Sequence, residues 1–224
     1  MHTEIRQIGR LRCLISAPEP FDPSVPSPAI LFLHGAGTRG NDMEVLKGNA
    51  FFQDTARLNE FPFVVIAPLC HENTWFDLWN DVMNLVRHTA SLPFVDEKRL
   101  YLMGTSMGGY ATWQLAMSMP EYFAAIVPIC GGGMYWNASR LSSVPVWAFH
   151  GGRDPVVFPE ESRKMVNAVN ACGGSAKLTI YPENEHNAWS DTYANPEVFS
   201  WLLSFENPVA PAPDNQYTNA QIYG

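Results

Sequence analysis

The chain has 224 residues, of which 46% are hydrophobic and 16% charged. A charge fraction below the usual ~25% describes a core-rich globular chain and excludes a disordered one. Its 14 basic and 22 acidic residues leave a net charge of -8, so nothing supplies the phosphate-neutralising patch that a nucleic-acid partner requires.

Residues 3–17 alternate loosely around Gly9 and predict an N-terminal hairpin. A Pro-rich linker, Pro18 to Pro28, follows. Ala29-Ile30-Leu31-Phe32-Leu33 is a continuous apolar run, the pattern of a strand buried on both faces, and it ends in His34-Gly35-Ala36-Gly37. Asn49 to Glu60 has helical spacing, and Phe63 to Ala67 is the next buried-strand run, closed by Pro68. Leu78, Val82, Leu85 and Val86 set a helical period between about Phe76 and Ser91. Leu100 to Met103 predicts a short strand, and Met107 to Met119 a helix stopped by Pro120. Strands are expected at Phe123 to Ile129, Val144 to Phe149 and Lys177 to Tyr181. Glu160 to Ala171 and Pro196 to Phe205 read as helices, the latter with Asn195 as N-cap before Pro at the first position. Strands alternating with amphipathic helices imply an α/β fold whose mostly parallel sheet is covered on both faces. One domain over residues 1–205 and a mobile tail over 206–224, rich in Pro, Asn and Ala, are expected.

No apolar stretch approaches the ~20 residues that span a bilayer. The N-terminus, Met1-His2-Thr3-Glu4-Ile5-Arg6, has no apolar run behind a basic start and does not read as a signal peptide. A cytoplasmic location is expected, with a secreted chain whose signal has been removed as the alternative. Cys13, Cys70, Cys130 and Cys172 lie far apart without C-x-x-C spacing. That speaks against a zinc site and for free buried thiols in a reducing compartment.

In such sheets the chemistry sits in loops at the carboxyl ends of the strands. One of these loops is Gly104-Thr105-Ser106-Met107-Gly108-Gly109, a G-x-S-x-G between a strand and a helix. A Ser on that sharp turn exposes its Oγ, and the helix N-terminus behind it offers free N–H groups to developing negative charge. A Ser hydroxyl needs a base. His186 is the one histidine after Ser106 in a post-strand loop without a strand-packing explanation, whereas His34 and His150 each end a strand. The acid is expected in His150-Gly151-Gly152-Arg153-Asp154, where Asp154 is the one carboxylate before Glu160. Glu185 and Asp191 compete for that role but lie too near His186 in sequence. The second oxyanion donor should come from the loop after the early strand, with the Ala36 N–H as the choice beside that of Met107. Gly35-Ala36-Gly37-Thr38-Arg39-Gly40 also matches the dinucleotide fingerprint G-x-G-x-x-G. The strand that follows ends Ile66-Ala67-Pro68-Leu69 with no carboxylate for a ribose, which argues against a nucleotide.

These motifs, with Phe32 to Asp42 and Gly108-Gly109-Tyr110-Ala111-Thr112-Trp113, resemble the α/β-hydrolase superfamily. Within it they are similar to phospholipase/carboxylesterase-like serine esterases related to feruloyl and polyhydroxybutyrate esterases. The resemblance covers about residues 28 to 205. It implies a sheet of about eight strands, a Ser106–His186–Asp154 triad, an acyl-enzyme intermediate, a small-molecule ester as partner and no cofactor. Only Gly131 to Ser143 separates two core strands, too short for a helical cap, so an open site for short or aryl esters is expected. Trp75, Met134, Tyr135, Trp136 and Trp189 lie on post-strand loops and are candidates for the pocket wall, with ordinary loop packing as the alternative for each. Rival readings are a feruloyl or acetyl-xylan esterase, a serine peptidase, and a non-catalytic ligand-binding relative, which would usually lack a triad member. A dienelactone hydrolase would carry Cys at the nucleophile, so Ser106 argues against one.

Overall fold

The computed structural model describes residues 2–212. Its elements in chain order are β1 (His2–Ile8), β2 (Leu11–Ala17), β3 (Ser27–Leu33), α1 (Met43–Lys47), α2 (Ala50–Thr55), β4 (Val64–Pro68), α3 (Trp79–Ser91) and β5 (Val95–Thr105). Then come α4 (Met107–Ser118), β6 (Ala125–Ile129), β7 (Val146–Gly151), α5 (Glu160–Ala171), β8 (Ala176–Tyr181), α6 (Trp189–Tyr193) and α7 (Pro196–Leu203).

The eight strands form one sheet in the order β1-β2-β4-β3-β5-β6-β7-β8. The expected hairpin is β1 against β2, antiparallel, and β2 continues antiparallel onto β4. All remaining pairs are parallel. The apolar runs are continuous because alternate residues serve opposite faces. Leu31, Leu33, Leu100 and Leu102 pack against α3, α4 and α5 on one side. Ile30, Phe32, Tyr101 and Met103 pack against α1, α2, α6 and α7 on the other. The architecture is the expected mostly parallel α/β sheet. Between β6 and β7 only a short 3-10 segment, Tyr135–Leu141, intervenes, so no cap lies there.

The order of the strands places the site. From β3 the chain crosses to β4 on one flank, then jumps back past β3 to β5 on the other. Loops leaving β3 and β5 therefore diverge over neighbouring strand ends, which opens a crevice at that switch point.

Several local expectations shift. β5 starts at Val95, before the expected Leu100, because Val95 pairs with Ser27 ahead of a register irregularity. The helix expected over 49–60 is shorter, with Asn49 capping Phe51 N–H at 3.0 Å. Cys13, Cys70 and Cys130 are buried as expected, but Cys172 is exposed at the end of α5. Among the described residues no helix is long and apolar enough to cross a membrane. Asn207, within the expected tail, is docked on the sheet domain. Asn207 is only 8% exposed, its N–H donates to the Lys98 carbonyl at 2.8 Å, and its Nδ2 donates to the Glu121 carbonyl at 2.6 Å. Residues 213–224 of the expected tail lie outside the described residues.

That docking has a measurable consequence. Asn207→Ala leaves the Glu121 carbonyl without its donor and should lower stability by about 1–2 kcal/mol in urea unfolding. A silent substitution would contradict the docking.

Candidate active site

Ser106 joins β5 to α4 with φ 56° and ψ -115°, in the left-handed region that a residue with a Cβ rarely occupies. Neighbouring backbone forces the turn. A Cβ on Gly108 would run into the Leu33 carbonyl, and one on Gly104 into the Gly108 carbonyl and the Thr112 side chain. The two glycines let α4 start directly against β3 and β5, and Ser106 is left at the crest between them. The Ser106 N–H is held by the Ile129 carbonyl of β6 at 2.9 Å.

Met107 is the first residue of α4 and Ala36 the first of a 3-10 turn, Ala36–Thr38. N–H groups at such positions have no acceptor within their own helix. Both turns flank the Ser106 side chain: a Cβ on Gly35 would stand 3.5 Å from Ser106 Cβ. The β3 loop is braced from behind. His34 is fully buried, and its Nε2 accepts the Cys70 N–H at 3.0 Å. Its Nδ1 faces the Gly35 carbonyl at 2.7 Å and so carries the proton. Arg39 Nε donates to the Ala36 carbonyl at 2.9 Å, and its Nη1 to the Asn73 carbonyl at 2.7 Å.

His186 Nε2 lies 2.8 Å from Ser106 Oγ, and His186 Nδ1 lies 2.7 Å from Asp154 Oδ2. An ionised carboxylate only accepts, so Nδ1 carries the ring proton and Nε2 is free to accept from the serine. Asp154 Oδ1 accepts the N–H groups of Val156 at 2.9 Å and Val157 at 3.0 Å. Burial pushes the Asp154 carboxyl up, but the His186 bond and the two N–H groups outweigh it and hold it below the usual carboxylate value. The loops carrying His186 and Asp154 are stitched together. Gly152 N–H donates to the Tyr181 carbonyl at 2.7 Å, and Arg153 N–H to the Asn184 carbonyl at 2.9 Å. Gly151 permits this approach, since a Cβ there would strike the Glu185 carbonyl. Of the competing acids, Asp191 is instead bound by Asn184 Nδ2 at 2.5 Å.

A cleft of about 550 Å³ opens over Ser106 and His186. Its wall includes Ala36, Val45, Val156, Trp189 and Tyr193, and among the described residues His186 is its one ionisable side chain besides the Tyr193 phenol. Trp189 lines this cleft, with its ring edge-on to His186 at 5.5 Å. Trp75 does not. It is fully buried, its Nε1–H donates to the His34 carbonyl at 3.0 Å, and it supports the β3 loop from beneath. Trp136 does not either: it is 73% exposed, packs edge-to-face on Tyr135 and does not line the cleft. Val45, Val156 and Tyr193 are wall residues that the sequence reading misses. Val45 and Tyr193 sit on the five-residue helices α1 and α6, too short to show a period.

Residues 49–198 match the dienelactone hydrolase family. The chain belongs to that family. Its dienelactone hydrolase segment includes Ser106, which corrects the argument that a serine there sets the chain apart from the family. The chain is 31% identical to a thermostable esterase of known crystal structure, with a TM-score of 0.78 over 92% of this chain and 63% of that one. It is 27% identical to feruloyl esterase B of Talaromyces stipitatus over 76% of this chain and 49% of the relative. It is 26% identical to the bifunctional acetylxylan esterase/xylanase XynS20E of Neocallimastix patriciarum over 78% of this chain and 26% of the relative. The chain thus spans a quarter to a half of these curated relatives. The α/β-hydrolase fold expected from the motifs is the fold of the family.

The His34 brace predicts a pH dependence. Burial, with the nearby Arg39 cation, outweighs the Gly35 carbonyl bond and lowers the ring from 6.5 to about 4. The unfolded ring protonates first, so this stabilisation is complete above about pH 6.5 and is lost as pH falls toward 4. Between about pH 6.5 and 5 the loss should be about 2 kcal/mol. His34→Gln, which can still accept from Cys70 but does not titrate, should show that much less decline in urea unfolding. Equal declines would contradict the brace.

Proposed function

We propose that this protein is a serine hydrolase of uncharged carboxylic esters with a short acyl or aryl group. The observation that carries the reading is the chain of contacts from Ser106 Oγ to His186 at 2.8 Å and from His186 to Asp154 at 2.7 Å, opening on one cleft.

In the proposed cycle Ser106 Oγ attacks the ester carbonyl carbon while its proton passes to His186 Nε2. The N–H groups of Met107 and Ala36 receive the oxyanion, at helix N-termini whose dipoles favour negative charge. Asp154 keeps Nδ1 protonated and stabilises the imidazolium without taking the proton. His186 then protonates the leaving alcohol, and afterwards draws a proton from the water that releases the acid. The cleft supports the substrate class. Among the described residues no Lys, Arg, Asp or Glu lines it, so an anionic or cationic acyl group would lose its hydration without a partner. Trp189 beside the base favours an aryl or small acyl group, and similarity to a feruloyl esterase and an acetylxylan esterase points the same way.

The test is hydrolysis of p-nitrophenyl acetate and butyrate, methyl ferulate, acetylated xylan and a peptide amide. Ester turnover is expected, with Ser106→Ala and Asp154→Asn each lowering kcat by at least about 1000-fold while the fold persists. Faster cleavage of the amide than of every ester would move the reading to a peptidase. Full turnover in Ser106→Ala would end it.

A further inference from the structure

His150 ends the strand run of β7 and has no part in the proton transfers above. Its ring is completely buried. Two oxygens face its Nε2: the Val157 carbonyl at 2.8 Å and Asp154 Oδ2 at 3.3 Å. Both are acceptors, so a lone pair at Nε2 would confront two lone-pair donors. On the other side Nδ1 lies 2.7 Å from Ser162 Oγ, which also reaches the Gly131 carbonyl at 3.0 Å. The Ser162 hydroxyl has one proton, and turning it onto a bare Nδ1 takes it from the Gly131 carbonyl, a smaller loss than a lone pair at Nε2 facing two acceptors. The single proton of a neutral His150 is thereby fixed at Nε2. Burial favours that neutral ring, lowering its pKa against the pull of Val157 and Asp154.

Asp154 Oδ2 then faces two imidazoles: it is hydrogen-bonded to His186 at 2.7 Å and stands 3.3 Å from His150 Nε2, whose shorter contact is to Val157, while Oδ1 is filled by two backbone N–H groups. Val157 ties the set together, giving its N–H to Oδ1 and its carbonyl to His150. His150 does not line the cleft and has no access to substrate.

We propose that His150 is a positioning residue: its Nε2–H shares Asp154 Oδ2 with His186, holding the carboxylate in place and limiting the negative charge it turns toward the base. The inference rests on the proposed Ser106–His186–Asp154 chemistry. Each donor on a carboxylate drains charge from it, so losing His150 strengthens the hold of Asp154 on the cation formed at His186. The other titratable groups facing this acid are Tyr110 and Cys130, both pushed up by burial and hence neutral near neutral pH, with Glu161 beside Tyr110.

The experiment compares kcat and KM for p-nitrophenyl acetate across about pH 5–9 in wild type, His150→Phe and His150→Gln. Phe fills the ring volume without a donor, and Gln can return an amide N–H near the Nε2 position. For His150→Phe we expect KM within about twofold, kcat lower by about 5- to 30-fold, and the acidic limb of kcat/KM moved up by about half to one pH unit. His150→Gln should recover most of the kcat and the limb. Wild-type kcat and limb in a folded His150→Phe would overturn the proposal. If His150→Phe does not fold, ¹⁵N NMR of histidine-labelled wild type and Asp154→Asn decides. A proton on His150 Nε2 whose resonance moves in Asp154→Asn supports the proposal, and a proton on Nδ1 alone, or no response, overturns it. That measurement needs no turnover. Failure of the hydrolase reading shows separately, as retained activity in Ser106→Ala.

Discussion

Ser106 is held in a backbone conformation it would not choose, and the rest of the site is arranged around that constraint. A non-glycine residue at positive φ costs on the order of 1–3 kcal/mol, which surrounding structure must offset. Here the offset comes from the sheet. The Ser106 N–H is tied to β6, the Gly104 and Gly108 backbones are pressed against each other, and the Leu33 carbonyl of β3 closes against the helix start. Release of the turn would require α4 to move off the sheet, together with the core side chains Ala111 and Leu115. The same closeness puts the end of β3 next to the serine, so the proposed nucleophile and both proposed oxyanion donors come from two adjacent strands.

Asp154 and His186, the proposed acid and base, are fixed by a different device. They lie 32 residues apart on the loops after β7 and β8, and those loops are stitched by main-chain bonds rather than by the two side chains themselves. Gly151 and Gly152 make this possible, because a side chain at either would push the His186 loop away. Asp154 therefore stays aimed at His186 through its own two N–H contacts and the shared backbone.

The sequence is most legible where burial is two-sided. Runs such as Ala29–Leu33 and Phe63–Ala67 have one explanation, a covered strand, and the G-x-S-x-G between a strand and a helix marks the nucleophile turn. Chain order separates His186 from His34, and its place in a post-strand loop separates it from His150. Less is legible where a role depends on direction. Trp75 and Trp136 are both loop tryptophans in the sequence, yet one carries the β3 loop from below and the other stands in solvent. His150 reads as packing because its partners, Ser162 and Val157, come from sequence positions with no pattern to connect them. Asn207 sits in a tail-like composition, but one side-chain amide and one backbone N–H suffice to dock it.

The central claim is that the strained serine at the switch point is the one activated nucleophile. Mass spectrometry after treatment with a fluorophosphonate tests it directly, because covalent capture needs the activated Oγ and does not depend on the natural substrate. One adduct per chain is expected, on the peptide carrying Ser106, formed at neutral pH and absent after denaturation before labelling. An adduct on another serine, or equal labelling of the denatured chain, would contradict it.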